Sequence, residues 1–325
     1  PSLALDGDGN PHVVWLGPQE LPEGRRLYYA RYDTAWHTYT LAFFGGLLRP
    51  YLPSFEVDPS GYGHVVWEEH WRRPNGNWRL KYGRFDTELP NSVATEGIDG
   101  TSGNGWYGSP SIALDTSNRP HVVWRRGFKG EIYYAMREDT GWIAPCSISE
   151  SPSVTSSWPC LDFCGNRLSV VWMEGEETNP PPDILYRSRQ VGAPWDTIEH
   201  VTQTTDPSVF PVIVAGTYAV WAESLAGGQS YDWEVFGARR RQDGIWEQLG
   251  DLSSTPDEDS RFPQAAFWQD ADTGYLYVAW GEGDSAPFAV MVRRFEVPSV
   301  PGWGERTTPG VEEGSPLIPL PRAFA

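Results

Sequence analysis

Apolar residues along the chain occur in short runs that repeat about every fifty residues. The clearest copy is Pro110-Ser-Ile-Ala-Leu-Asp115 followed by His121-Val-Val-Trp124. Five further copies, two similar and three weaker, also begin with a proline: Pro1, Pro53, Pro159, Pro211 and Pro263. The six prolines are 52, 57, 49, 52 and 52 residues apart. A fixed period of this length indicates stacked or radially arranged units.

Each repeat predicts four short strands, which in the third copy cover residues 110–115, 121–125, 131–137 and 141–148. The first two are nearly continuous apolar runs, which is typical of strands covered on both faces. No segment shows an amphipathic helical pattern, and 34 Gly and 29 Pro disfavour helix along the whole chain. We therefore expect an all-β fold.

Six units of four antiparallel strands predict a six-bladed β-propeller. A β-solenoid is the alternative, although its repeats are usually shorter. We expect one propeller over residues 1–307, with blades at approximately 1–46, 47–104, 105–152, 153–204, 205–257 and 258–307. The fourth strand of the last blade is expected near Trp303, and residues 308–325 form a Pro/Gly-rich tail. Within that tail, Gly314-Ser-Pro-Leu-Ile-Pro319 weakly echoes Gly108-Ser-Pro-Ser-Ile-Ala113, so the tail is either a linker or a strap along the ring.

Composition narrows the set of partners. The net charge of −18 argues against nucleic acid or an anionic membrane, because both require a basic surface. No apolar run approaches the roughly 18 residues of a membrane span. A chain that starts inside a strand indicates a trimmed fragment, so we expect a monomeric domain of a larger extracellular or cell-surface protein. We expect Cys146, Cys160 and Cys164 to be buried free thiols, because their spacing suits neither a disulfide nor zinc.

The loops predict which face of the propeller is functional. Loops from the first to the second strand are short turns such as Asp6-Gly-Asp-Gly-Asn10, whereas loops from the second to the third strand are long and differ in every blade. Variable loops on a rigid scaffold are the usual place for binding. The turn at Asp6 weakly resembles a calcium loop but lacks the later Glu, so calcium is a minor possibility and no other cofactor is expected.

Charged residues recur two positions after the Trp that ends each second strand: Glu69, Arg126, Glu174, Glu223 and Glu282. Strand parity places each on the same side as its Trp. One interpretation is a polar basin that binds a cation, an amine or sugar hydroxyls. The other is that a strand leaving the core simply needs a charged residue, in which case these side chains do not converge.

Aromatic residues cluster near the same face. The residues just before the strand-one prolines are Leu52, Ser109, Trp158, Phe210 and Phe262, and the loops add Trp71, Trp78 and Trp106. Such side chains suit stacking on sugar rings or hydrophobic peptide groups, and they also suit simple packing between blades.

The repeated His12, His64 and His121 occupy one repeat position in three blades. We expect them to make structural hydrogen bonds to the neighbouring turns, which Asp6 and its equivalents cap, and not to form a metal site. The motifs GxSxG and HExxH and a phosphate-binding glycine loop are absent from the sequence. No catalytic residue is assigned.

The pattern Pro110-Ser-Ile-Ala-Leu-Asp115, His121-Val-Val-Trp124 and Ile132-Tyr-Tyr-Ala135 resembles the repeats of bacterial sialidase-like (BNR-type) six-bladed propellers. The resemblance covers residues 1–307 and is strongest in the first three units. The Asp-box of sialidases, Ser-x-Asp-x-Gly-x-x-Trp, matches none of the turns. The resemblance therefore implies an architecture and carries over no catalytic residue.

The expected function is a secreted or surface-exposed module that binds carbohydrate or protein through the variable-loop face. The alternative is a glycan-active enzyme, a glycosidase or a polysaccharide lyase, that uses the ring carboxylates and Arg126. A structural spacer is the third hypothesis. The fold cannot choose among them, because propellers host all three.

Overall fold

The computed structural model describes residues 1–18, 24–45, 48–71, 78–90, 93–98, 107–176, 181–225, 232–255, 258–270, 272–283 and 289–301. Within these ranges every regular element is a β-strand. The described residues contain no helix that is long and apolar enough to span a membrane. The expectation of an all-β protein is confirmed.

The strands of the first three sheets are β1 (Ser2–Leu5), β2 (Pro11–Leu16), β3 (Gly24–Tyr32), β4 (Trp36–Gly45), β5 (Leu48–Val57), β6 (Tyr62–Trp71), β7 (Trp78–Asp86), β8 (Ala94–Gly97), β9 (Tyr107–Leu114), β10 (Pro120–Arg126), β11 (Glu131–Glu138), β12 (Gly141–Trp142) and β13 (Cys146–Ser147). Those of the last three are β14 (Ser156–Cys164), β15 (Arg167–Glu174), β16 (Asp183–Gln190), β17 (Glu199–His200), β18 (Ser208–Val214), β19 (Tyr218–Ser224), β20 (Trp233–Arg240), β21 (Trp246–Asp251), β22 (Ser260–Gln269), β23 (Thr273–Glu282) and β24 (Ala289–Pro298).

Each sheet is an antiparallel meander in which neighbouring strands follow one another in the chain. In the third sheet, β12 and β13 share the fourth position and both pair with β11. The sixth sheet has the order β22-β23-β24 in the described part of the chain, and the strand expected near Trp303 lies outside it. Six such sheets in sequence form a six-bladed β-propeller, as the repeat predicts.

The second strand of blades two to five is buried on both faces, which explains its unbroken apolar sequence. In β10, Val122, Val123 and Trp124 are all 0% exposed. Val122 and Trp124 pack against the second sheet in a cluster with Val66 and Tyr82, while Val123 packs toward the fourth sheet. Burial of each such side chain stabilises the fold by about 1.5–3 kcal/mol. The blades therefore cohere through apolar contact between successive sheets.

A hydrogen bond between successive blades accounts for the serine that follows the repeat proline. The hydroxyl oxygens of Ser2, Ser54 and Ser111 accept the backbone N–H of the next blade's first strand, at Phe55 (3.1 Å), Ile112 (3.2 Å) and Leu161 (3.4 Å) respectively. The bond fixes the relative register of the two innermost strands. In the fourth blade a cysteine replaces this serine.

The three cysteines are free, as expected, but the expectation that all are buried is wrong: Cys160 and Cys164 are half-buried, and Cys146 is exposed. That thiol is exposed because it lies in the two-residue outer strand β13. Cys160 replaces the bridging serine between blades, and burial raises the pKa of its thiol to about 11. Cys160 is therefore an unreactive packing residue.

The repeated histidines make the predicted structural contacts. His121 is fully buried, with Nδ1 2.8 Å from the Tyr134 hydroxyl and Nε2 3.3 Å from Asp115 Oδ2. Asp115 Oδ1 in turn accepts backbone N–H groups of its own turn. His12 and His64 repeat the arrangement with their own Asp and Tyr. These histidines tie the turn between strands one and two to the third strand.

We predict that the buried histidines make stability fall in acid. Burial holds the pKa of His12, His64 and His121 below the ordinary value of 6.5. Below that pH the unfolded chain therefore binds more protons than the folded one, so the free energy of unfolding decreases until the pH passes the lowered folded pKa. His121→Gln should flatten the slope of unfolding free energy against pH, measured by urea denaturation between pH 5 and 7.5. His200→Gln, at an exposed position, should leave the slope unchanged. Equal slopes for His121→Gln and wild type would contradict the prediction.

Candidate functional site

A β-bulge interrupts the first strand of five successive blades, immediately before the repeat proline. The residue in the bulge has a positive φ in every case: Leu52 (43°), Ser109 (50°), Trp158 (51°), Phe210 (54°) and Phe262 (56°). A bulky residue in this backbone region is strained by about 1 kcal/mol or more and persists only where the surroundings impose it. Five equivalent occurrences show that the blade design itself imposes the conformation.

The bulge side chains of blades four, five and six touch one another. The rings of Trp158 and Phe210 lie 5.0 Å apart in an edge-to-face contact, and those of Phe210 and Phe262 lie 4.9 Å apart. Trp158 is 39% exposed and Phe262 is 49% exposed, so the rings are packed sideways but open on one side. We call Trp158, Phe210 and Phe262 the aromatic wall.

The aromatic wall lies toward the centre of the ring and near the variable-loop face. It belongs to the first strands, which pack against one another from blade to blade as the innermost strands of the propeller. The bulge lies where the first strand runs beside the end of the second strand, the end from which the variable loops leave. Leu52 and Ser109 hold the equivalent positions in blades two and three. The structure thus brings three of the sequence-predicted aromatic residues together.

The ring carboxylates are each held by the tryptophan of their own blade. Indole Nε1 donates to the carboxylate from Trp67 to Glu69 (2.9 Å), from Trp172 to Glu174 (3.1 Å), from Trp221 to Glu223 (2.9 Å) and from Trp280 to Glu282. In blades four to six a serine at the start of the first strand donates to the same carboxylate: Ser156, Ser208 and Ser260. This carboxylate clamp ties the second strand to the first.

The clamp confirms the strand parity expected from the sequence. It also gives each carboxylate a structural role inside its own blade. This agrees with the interpretation in which the charged residues serve the strand and do not converge on a ligand. Glu69 and Glu282 are 7% and 6% exposed, so most of their surface is used inside the blade. A common basin formed by the four carboxylates stays a prediction.

Blade three departs from the clamp because Arg126 stands where the other blades have glutamate. Its guanidinium lies over the ring of Tyr133, 4.9 Å from the centroid. Trp124 Nε1 is buried and has no hydrogen-bond partner. An unsatisfied buried donor costs about 1–3 kcal/mol. Arg126 therefore makes this blade less stable than a glutamate at the same position would.

The remaining aromatic candidates are placed differently from the expectation. Trp71 is the last residue of β6 and Trp78 the first of β7, so both belong to strands that border a loop, and their assignment to the loop itself is wrong. The Trp78 ring stacks on His70 with 4.4 Å between centroids and lies 5.7 Å from Tyr51. Trp106 lies outside the described residues.

Sequence reasoning missed Glu68, which supports the bulge of blade three. Glu68 is 3% exposed, and its Oε1 accepts the backbone N–H of Ser109 at 2.9 Å. Burial raises the pKa of Glu68 to about 7, although Arg125 nearby acts in the opposite direction. Two acidic residues, Glu68 and Glu69, follow Trp67 in the sequence, and the parity argument selected Glu69.

In the part of the chain that the structure describes, no group of three or more His, Cys, Asp or Glu side chains is placed to hold a metal ion. The histidines are instead occupied by the aspartate and tyrosine contacts of their own blades. The aromatic wall itself presents apolar ring faces.

Comparison with known proteins identifies the fold. No protein-family model matches the chain, and no curated protein matches its sequence. Among solved structures it is similar to the NanB sialidase of Streptococcus pneumoniae, with a TM-score of 0.54 and 10% identity over 91% of this chain and 68% of that one. A Hadza microbial sialidase gives 0.55 and 9% over 86% and 65% of the two chains. The α-L-arabinanase of Penicillium chrysogenum gives 0.50 and 13% over 77% and 81%. The chain therefore has a sialidase-like propeller fold.

We predict that Glu68 weakens the fold as the pH rises. Its folded pKa is raised to about 7 from 4.5, so its favourable contribution is complete below 4.5 and is lost as the pH rises through 7. The loss amounts to up to about 3 kcal/mol. Glu68→Gln keeps an acceptor for Ser109 and removes the titration. The unfolding free energy of the variant relative to wild type should therefore increase between pH 5 and pH 8.

Denaturant unfolding at the two pH values measures this difference. Glu176→Gln, at an exposed position, is the matched control and should show no such trend. If the difference between Glu68→Gln and wild type does not change with pH, Glu68 does not titrate in this range.

Proposed function

We propose that the protein is a secreted or cell-surface module that binds carbohydrate at the aromatic wall. The observation that carries the proposal is the contact of three large rings, held in left-handed bulges at the centre of the ring and open on one side. Sugar rings present C–H faces that pack on aromatic faces. Rigid aromatic side chains bury large areas with little loss of rotamer entropy, which suits a binding surface.

The comparisons support the carbohydrate class of ligand. The similar structures include two sialidases and an arabinanase complexed with arabinobiose. At 9–13% identity the likeness shows the fold alone, so the substrates of those proteins do not transfer to this chain. Their shared class nevertheless favours a glycan over a protein ligand.

The carboxylate clamp favours binding over hydrolysis. Glycosidases use two carboxyl groups about 5–5.5 Å or about 6.5–9.5 Å apart, both facing the scissile bond. Here the carboxylates of Glu174, Glu223 and Glu282 already accept hydrogen bonds from an indole and a serine. A group engaged in this way is poorly placed to exchange protons with a substrate.

One observation favours the enzyme hypothesis. Burial raises the pKa of Glu223, and a raised pKa is what a general acid requires. Incubation of oligosaccharides with the protein, followed by chromatography of the products, decides between the two functions. Release of products by the wild type and its loss in Glu223→Gln would establish an enzyme and overturn the binding module.

We predict that the aromatic wall carries the affinity for glycans. Trp158→Ala and Phe210→Ala should each raise the dissociation constant at least about tenfold, because a large ring at the centre of a binding surface typically contributes well over 1 kcal/mol. The ligand is first selected on an array of neutral and acidic oligosaccharides and then titrated by calorimetry. Phe43→Ala is the matched control, since Phe43 is 54% exposed in β4, the outermost strand of the first blade.

Two outcomes would overturn the assignment. The first is that no oligosaccharide binds the wild-type protein with better than millimolar affinity. The second is that Trp158→Ala and Phe43→Ala weaken binding equally, which would place the ligand elsewhere.

A further inference from the structure

One face of the sixth sheet is uncovered although its residues are apolar. Val290, Val292, Trp268 and Tyr277 lie on this face and are 77%, 63%, 39% and 38% exposed. The cross-strand pairs confirm that they share a face, because Val292 pairs with Ala279 and Val290 with Gly281, on the same side as Tyr277. The opposite face packs against the fifth sheet. An apolar surface of this kind is a site of contact.

The equivalent face of the fifth sheet is completely covered. Tyr218 and Val235 occupy the positions of Tyr277 and Val290, and both are 0% exposed. What covers them is the first strand of the following blade, where Phe267 of β22 stacks on Tyr218 with 5.4 Å between ring centroids. Among the described residues, the sixth sheet therefore lacks the covering strand that the fifth sheet has.

The chain itself contains a segment with the sequence of that strand. Residues 314–320, Gly-Ser-Pro-Leu-Ile-Pro-Leu, are identical at five of seven positions to residues 108–114 in the first strand of blade three. Pro316 follows Pro263 by 53 residues, within the 49–57 of the other repeats. It follows Val292 of the third strand by 24 residues, where the five earlier blades have 23 to 27. Sequence and spacing thus both identify the start of a seventh repeat.

We propose that residues 314–320 dock as an extended strand on the exposed face of the sixth sheet. In the first strands, the residue two after the proline points to the preceding blade: Phe55, Ile112, Leu161 and Ile213 are 2–5% exposed. The same position in the segment is Ile318. The residue four after the proline is Leu320, the equivalent of Phe267, and it covers Tyr277.

A specific hydrogen bond accompanies this docking. In blades two to four, the N–H of the residue two after the proline donates to the side chain that follows the preceding blade's proline, as Ile112 does to Ser54 at 3.2 Å. In the sixth blade that side chain belongs to Gln264, which is exposed. Ile318 therefore donates its N–H to Gln264 Oε1.

Pro319 and Pro321 fit a strand that packs on a sheet face without pairing with a second strand. Pro319 replaces Ala113, which pairs with His121 of the second strand in blade three. Because proline has no N–H to donate, Pro319 and Pro321 suit a strand that caps a sheet face and has no second strand beside it. The segment is therefore a cap for the sixth blade.

The first sheet is the rival for the same surface. Leu3 is 56% exposed, although its equivalents in blades two to five are buried. If the ring closed directly, Leu3 and not Ile318 would cover the sixth sheet. A second copy of the chain is the other rival. An experiment on the full chain separates the three.

The experiment is hydroxyl-radical footprinting of the 325-residue chain, with Tyr277 and Trp268 as reporters. In the wild type both should be protected, and Ile318→Asp should raise their oxidation severalfold. Leu317→Asp is the matched control, because the position one after the proline points away from the preceding blade and should leave the oxidation unchanged. Gln264→Ala should raise it more weakly than Ile318→Asp.

Other outcomes would overturn the proposal. Oxidation of both reporters in the wild type at the rate of free side chains would show that the face is uncovered. Protection lost in Leu3→Asp but kept in Ile318→Asp would show that the first sheet covers it. Protection that depends on protein concentration, together with a dimer in sedimentation, would identify a second copy.

Discussion

A buried tryptophan in the second strand of blades two to six imposes a constraint on the residues around it. Trp67, Trp124, Trp172, Trp221 and Trp280 are all at most 2% exposed, so the propeller buries five indole donors in an apolar interior. A buried donor needs an acceptor, and a carboxylate two residues further along the strand supplies one in four blades. A buried carboxylate needs more than one donor, and in blades four to six the serine at the start of the first strand provides the second. Burial of one large ring thereby determines two polar residues in these blades.

In the fourth blade the bulge lies between two fixed points of the first strand. The clamp pins the start of the first strand, as at Ser156 and Glu174, while the serine or cysteine after the proline is pinned to the next blade. Between these two fixed points the first strand carries one residue more than its partner, and Trp158 is displaced into the left-handed region. Its side chain leaves the sheet and turns toward the ring's centre. The conformation is fixed by the scaffold, whereas the residue type is free to vary, which is the condition for a binding position.

The sequence predicted the fold well because the repeat reports burial directly. Apolar runs flanked by turns gave the strands, and the shared position of His121 and Asp115 gave the contact between them. The same reasoning reached Trp158, Phe210 and Phe262 as residues before the proline, but it left packing and binding open. Their contact depends on a positive φ and on the curvature of the ring, and neither is encoded in the period of a strand. Glu68 was missed for a related reason, since its partner is the backbone of Ser109 and no side-chain pattern marks a backbone group.

The three blades in which the repeat sequence is weakest, blades four to six, are also the blades that carry the aromatic wall. Blades one to three keep the His-Val-Val-Trp sequence, whereas blades four to six replace the histidine with Ser169, Tyr218 and Tyr277. Ser169 still reaches a tyrosine hydroxyl, that of Tyr186 at 2.9 Å, and Tyr218 donates to the Pro298 carbonyl at 2.6 Å. These hydrogen bonds replace the ones that the histidine makes in blades one to three. Loss of the His-Val-Val-Trp sequence therefore changes the hydrogen-bond partners without leaving the blades unconnected. The first three blades keep the histidine contacts, and the last three pack in the same way and also form the aromatic wall.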